Sequence, residues 1–157
     1  MNYVDEYRSA QRDEDLARLR RVLALRAMIA TGSSQRQIAA DLGISQPAVS
    51  QQLRFAPDLD EVHPEMLLEA AIPILKQLAF DQGFARLAVF GSAARGEARP
   101  DSDIDLVVDV PKGLSSFGFV KFKLLIEEVL GRGIDLIDYG GLKPGLDDDI
   151  RREAVLL

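Results

Sequence analysis

Two aspartates, Asp103 and Asp105, open the apolar run Ile104 to Val110. A run this short and rich in β-branched residues reads as a strand. Strand side chains alternate between faces, so both carboxylates leave on the same side. Two like charges held together are unfavourable unless a proton or cation offsets them. A divalent cation that prefers oxygen is the natural partner, and Mg²⁺ fits carboxylates combined with substrate phosphates. The fold must therefore contain a sheet with one strand end open to solvent. Asp135 heads a further short run, Ile134 to Ile137. Its carboxylate completes the cluster if that strand pairs beside the first. Asp138 competes for this place, but three residues further on it lies on the opposite strand face, which makes Asp135 the better candidate. Upstream, Leu87-Ala88-Val89-Phe90 forms a strand that runs directly into Gly91-Ser92. Free backbone N–H groups and a hydroxyl at such a turn suit a phosphate. A metal clamp beside a phosphate cradle describes phosphoryl or nucleotidyl transfer.

The remaining pattern predicts an α+β chain. A helix is expected from Asp13 to Ala30, with Leu16, Leu19, Val22, Leu23, Leu25 and Ile29 at helical spacing. Residues up to about Arg12 are polar and unpatterned, and are expected to fray. Ser34 with Gln37 reads as a capping box for a second helix, with Ile38, Ala39 and Leu42 inward. Gly43 ends that helix, and Ser45 caps a third that tolerates Pro47 in its first turn. The stretch 56–64 is rich in proline and acid, offers little to pack, and reads as a linker. It holds the single histidine, His63, to which no role is assigned. Beyond it, Leu67, Ala71, Ile74, Leu75 and Leu78 mark a helix interrupted by Pro73, an amphipathic helix spans about Phe117 to Leu130, and a last helix is expected over Asp147 to Leu157, where Asp147, Asp148 and Asp149 favour the helix dipole. The organisation is thus an all-α unit over 13–55, a linker over 56–64, and an α/β unit with a small mixed sheet over 65–157.

Charge separates the two units. The chain carries 19 Lys and Arg against 25 Asp and Glu, a net −6. Between Ala17 and Arg54, however, Arg18, Arg20, Arg21, Arg26, Arg36 and Arg54 face a single acid, Asp41. Such asymmetry suits a nucleic-acid-facing part joined to something else, although an arginine-rich solvated helix face gives the same composition. There is no cysteine, which removes disulfides, thiolate metal sites and cysteine nucleophiles and suits a reducing, cytoplasmic setting. No apolar run approaches the roughly 18 residues that suggest a membrane span, and the N-terminus has no signal-peptide pattern.

The segment Gln35 to Arg54 resembles a helix-turn-helix of the phage-repressor type. Ala39 stands where the helices cross, Gly43 makes the turn, and Ile44, Val49 and Leu53 supply buried contacts. The resemblance implies that Ser45, Gln46, Ser50, Gln51 and Arg54 face double-stranded DNA, with glutamine able to pair with adenine. A bundle that docks on a protein is the plainer alternative. One such unit rarely binds tightly alone, so a homodimer on a two-fold operator is expected.

The stretch Gly91-Ser92-Ala93-Ala94-Arg95-Gly96, followed by Ser102-Asp103-Ile104-Asp105-Leu106, has ten residues between Ser92 and Asp103. It resembles the signature of the DNA polymerase β-type superfamily, and more closely that of the minimal nucleotidyltransferases, over roughly Glu65 to Leu157. The resemblance implies that Asp103, Asp105 and Asp135 hold Mg²⁺ in a two-metal site, with Asp135 also activating the acceptor hydroxyl. Gly91 and Ser92 would contact the phosphates of ATP. Arg95 would help neutralise them, although an arginine exposed in a turn is an ordinary surface residue. Minimal nucleotidyltransferases of this kind are commonly antitoxins that transfer AMP from ATP to a tyrosine of a HEPN RNase toxin, and a helix-turn-helix in front would suit repression of their own operon. Two other readings stay open: transfer to a small acceptor such as an aminoglycoside, and a transcription regulator that uses the transferase fold to sense nucleotide or to dimerise without catalysis.

Overall fold

The computed structural model describes residues 2–157. The first helix, α1, runs over Tyr3–Ala30, ten residues further upstream than the apolar stripe indicates. Asn2 caps it by accepting a hydrogen bond from the Asp5 N–H, and Asp5 and Glu6 lie in its positive first turn. Its first half is exposed, so no apolar periodicity marks it. Helices α2 (Gln35–Leu42) and α3 (Gln46–Arg54) follow, and the Ser34–Gln37 capping box is present in full. Gly43 sits between them at φ 68°, the left-handed region that glycine adopts without steric cost. Ile38, Ala39 and Val49 pack on Leu25 of α1, with Met28 and Leu53 at the margin. Leu42 and Ile44, expected inside, are exposed; with only two short helices on one flank of α1 there is nothing on the far side to cover them.

Helix α4 (Pro64–Asp81) crosses to the sheet, with Pro64 in its first turn and Pro73 inside it. The sheet has the order β3-β2-β1-β4. Strand β1 (Ala85–Phe90) pairs antiparallel with β2 (Ile104–Asp109), and β2 pairs parallel with β3 (Ile134–Asp138). The parallel connection is α6 (Ser116–Leu130), capped by Ser115 and ended by Gly131. Besides α1, three elements differ from expectation. A five-residue helix, α5 (Gly91–Arg95), replaces a simple turn after β1. The final helix is short: α7 (Asp148–Glu153) gives way to β4 (Val155–Leu156), which pairs antiparallel with Ala88 and Val89 of β1.

The main core lies between the sheet and the helices α4, α6 and α1. Leu67, Ala71 and Leu75 of α4, Ile104, Leu106 and Val108 of β2, and Ile126 and Leu130 of α6 are fully buried in it. Leu19 and Leu23 of α1 belong to the same cluster. Neither does the stretch 56–64 lack packing, because Leu59 is buried there and Val62 packs beside it. Arg26 of α1 donates from Nε to the Val129 carbonyl at 2.9 Å and from Nη2 to the Glu128 carbonyl at 2.7 Å. It thereby satisfies open carbonyls at the C-terminal end of α6. Of the arginines that make this segment basic, Arg26 is thus engaged in the fold, while Arg18, Arg20 and Arg21 stay exposed. Among the described residues no helix is long and apolar enough to cross a membrane.

Candidate active site

The carboxylates meet because of the strand register. Asp105 of β2 stands opposite Asp135 of β3 in the parallel ladder, and opposite Phe90 of β1 on its other side. Asp103 precedes β2 by one residue and is exposed, as is Asp135, while Asp105 is half-buried between them. Burial pushes the Asp105 carboxyl up to about 6, and a hydrogen bond with Asp135 and the charges of Asp135 and Asp103 push the same way, with Arg95 opposing. Asp105 thus carries its negative charge at a cost where no cation offsets it. The residues fit a metal on this geometry, because two carboxylates face one another across the ladder and positive charge is wanted between them. As they stand, no three acidic or imidazole groups among the described residues converge as a ready cage for one ion. Mg²⁺ needs no such cage, since it keeps waters and takes phosphate oxygens alongside one or two carboxylates.

Gly91 completes the arrangement. Its φ is 71°, and a Cβ at this position would overlap the Asp105 carboxylate. Only glycine allows the chain to turn there and Asp105 to lie against the turn. Ser92 follows in α5, half-buried, and no side chain caps the start of that helix. The first N–H groups of α5 therefore have no helical acceptor. Gly96 closes α5 at φ 70°. Arg95 is exposed but not free: it donates to Glu97 and to Glu153 of α7, each at 3.0 Å. It is close enough to hold the Asp105 carboxyl down, so a phosphate would compete with the two glutamates for it. Asp138 is occupied elsewhere and accepts the Gly140 N–H at 2.9 Å in the turn after β3.

Several residues around the carboxylates escape a reading of the sequence. The ring of His63 accepts the Glu65 N–H on Nδ1 at 3.2 Å, which leaves Nε2 to donate to the Ala98 carbonyl at 3.1 Å. It joins the start of α4 to the loop that leads into β2. Its place just before Pro64 at a helix start is the signal that could have found it. Arg132, alone between Gly131 and Gly133, donates to the carbonyls of Val62, Pro100 and Ser102. Glu153 carries no sequence signal at all. Of the residues expected to face DNA, Ser45 caps α3 by accepting the Ala48 N–H, and Gln46 donates to Gln35. Gln51 and Arg54 are exposed and Ser50 half-buried.

The grooves described on the surface are lined by other residues. One of about 790 Å³ lies among Thr31, Phe84, Phe117, Lys121 and Glu128. The carboxylates stand open at the sheet end instead.

Comparison with known proteins agrees with this geometry. Residues 72–157 match the family model described as a nucleotidyltransferase domain. A candidate protein adenylyltransferase of Methanocaldococcus jannaschii is 42% identical over 84 residues, which is 54% of this chain and 86% of that protein. The protein adenylyltransferase MntA of Thermococcus cleftensis is 38% identical over 80 residues, 51% of this chain and 81% of its own. A solved structure described as a minimal nucleotidyltransferase superposes with a TM-score of 0.53 at 37% identity, covering 66% of this chain and 99% of that one. The chain belongs to the nucleotidyltransferase domain family, and it is an enzyme of nucleotidyl transfer.

Proposed function

We propose that this enzyme is a Mg²⁺-dependent protein adenylyltransferase that moves AMP from ATP to a tyrosine hydroxyl of a HEPN-type RNase toxin, and so acts as its antitoxin. The observation that carries the reading is the in-register pair Asp105–Asp135 with Gly91 against it. The names of the relatives point to a protein acceptor. The openness of the site supports the same choice. Small acceptors are usually enclosed in concave pockets, whereas this carboxylate face can receive a side chain presented by another macromolecule.

In this reading Asp103 and Asp105 hold the metal, and Asp135 shares in it. Gly91 and Ser92 lay backbone N–H groups and a hydroxyl along the phosphates. Arg95 leaves Glu97 or Glu153 to meet the triphosphate. The bound metal would supply charge neutralisation at the phosphate oxygens. The acceptor oxygen forms its bond to the α-phosphorus as the bond to pyrophosphate breaks, and Asp135 takes the hydroxyl proton. Labelled ATP, Mg²⁺ and a HEPN protein encoded beside this chain test the idea. Label is expected on the HEPN protein with the wild type and not with Asp103→Asn; label that never appears, or appears equally with both, overturns it.

The second part of the reading concerns α2 and α3. Gly43 between a boxed helix and a Ser-capped one, with Gln51 and Arg54 exposed on α3, fits insertion of α3 into a major groove. Exposed Arg18, Arg20 and Arg21 on α1 add phosphate contacts. Binding as a homodimer to the promoter of its own operon is expected to weaken steeply with salt. Binding that ignores salt and survives Arg54→Ala would refute it.

A further inference from the structure

Arg132 stands where three separate segments meet. Its Nη1 donates to the Val62 carbonyl at 3.0 Å, and its Nη2 donates to the Ser102 carbonyl at 3.0 Å and the Pro100 carbonyl at 3.3 Å. All three acceptors are neutral backbone oxygens, and among the described residues no carboxylate pairs with this guanidinium. The placement relative to the chemistry is direct. Ser102 is the residue before Asp103. Arg132 itself lies three residues before Asp135, in the Gly131-Arg132-Gly133 turn that feeds β3. Strands β2 and β3 are parallel, so both enter the sheet from this end, and their first paired residues are Ile104 and Ile134. The ladder fixes their register from there onward. It does not fix the two approaches, where Asp103 stands outside the strand. Arg132 bridges that gap by tying the approach to β2 to the approach to β3.

We propose that Arg132 is a positioning residue for the metal and nucleotide: it sets Asp103 against Asp105 and Asp135 by clamping the 100–102 turn to the head of β3. This rests on the metal-dependent reading of the same site. The Val62 contact extends the clamp to the stretch that precedes α4, and His63 reaches the same loop through Ala98. Gly131, at φ 69°, lets this turn pass close against Leu59, where a Cβ would come within 3.1 Å. A planar guanidinium with several fixed donors suits the bridging of three carbonyls, and a lysine ammonium does not.

Charge and geometry predict opposite signs here, which makes the assignment testable. A cation near a carboxylate cluster repels a divalent metal, so on charge alone removing Arg132 should tighten metal binding. Loss of a clamp should loosen it. The experiment is equilibrium binding of Mn²⁺ with a non-hydrolysable ATP analogue to the full chain, by titration calorimetry, together with binding of the analogue in EDTA. Arg132→Ala is expected to weaken metal-dependent binding about 10- to 100-fold, the usual effect of losing an outer-shell partner. Binding in EDTA should change less than about twofold, since no proposed phosphate contact is altered. Arg132→Lys, which keeps the charge, should still lose most of the metal-dependent affinity, and it serves where the alanine variant does not fold. Equal or tighter metal-dependent binding in either folded variant overturns the assignment and leaves the metal reading intact. A wild type that binds the analogue equally with and without Mn²⁺ overturns both.

Discussion

At the residue scale the site is costly to the fold that carries it. Burial and two neighbouring carboxylates raise Asp105 to about 6 from an ordinary 3.8. The folded state therefore binds its proton more tightly than the unfolded state does. The sign follows: stability at this group is full below the unfolded value and is lost as pH rises through the folded one. In EDTA the wild type should lose thermal stability between about pH 4 and pH 7 relative to Asp105→Asn, which has no such proton. At pH 7.5 the variant should be the more stable, by about 1 kcal/mol after allowance for solvent screening, or roughly 2–4 °C for a chain of this size. It should also lose at least about 100-fold in transfer rate, as expected when charge stabilisation at the phosphates goes. Parallel melting curves across this range for the two proteins would contradict the raised Asp105 carboxyl. Gly91 makes the complementary case. Gly91→Ala must place a Cβ where the Asp105 carboxylate lies, on a backbone at φ 71°. A loss of about 1–3 kcal/mol is expected from strain of this type, with transfer falling alongside; urea unfolding of the two proteins measures it. Both residues were legible in the sequence because each has one chemical reason to be there. Arg132 and His63 were not, because their partners are backbone carbonyls and N–H groups, which carry no residue identity.

At the element scale, legibility followed length and periodicity. The apolar stripes of α4, α6, β2 and β3 give them away. Helix α5 has five residues and β4 has two, both too short for a period to repeat. The exposed first half of α1 has no stripe to see, since it buries no apolar side chain and is held by its Asn2 cap and by the Arg12–Glu69 ion pair to α4. Strand β1 holds a feature of another kind. Its pairing with β2 shifts between Ala85 and Ala88, and Arg86 sits in that irregularity at φ 50°, the one non-glycine residue with positive φ among those described. The Arg86 guanidinium pairs with Asp109, Nη2 reaching Oδ1 at 2.9 Å, and lies 4.5 Å above the Tyr139 ring. An unfavourable backbone is thus held by a side chain that needs it there. Two substitutions separate these terms. Arg86→Ala loses the side-chain contacts and keeps the strain, whereas Arg86→Gly loses the contacts and relieves it. The glycine variant should be the more stable of the two by about 1 kcal/mol, against the usual rule that glycine weakens a strand. Chemical denaturation of both variants decides, and an alanine variant equal to or better than the glycine one would show that φ at this position relaxes without cost.

At the scale of the whole molecule, α1 joins what the sequence divides. The shift from a basic helical half to an acidic α/β half, and the proline-rich stretch between them, suggest two independent units. Yet Leu25 packs with Ile38 and Val49, while Leu19 and Leu23 belong to the main core with Leu67 and Ala71 of α4 and Ile126 of α6. One helix supplies both cores, and Arg26 ties it to the end of α6 just before the Arg132 turn. A sequence pattern shows that a helix has an apolar face; it does not show that successive turns of one helix serve different neighbours. The consequence is thermodynamic. A chain beginning at residue 56 would bare the surface that Leu19 and Leu23 cover. Burial of each such side chain contributes about 1.5–3 kcal/mol, set against a total stability of roughly 5–15 kcal/mol for a domain. The shortened chain should therefore melt well below the full-length protein, or fail to fold. The full chain should unfold in one calorimetric transition, because neither core survives loss of α1. Its one transition should move upward when either a metal–nucleotide complex or, on the proposed reading, operator DNA is added, since a ligand that binds only the folded state stabilises all that unfolds with it. Two separate transitions, with each ligand shifting only one, would show that the halves are independent and that α1 is divided between them rather than shared.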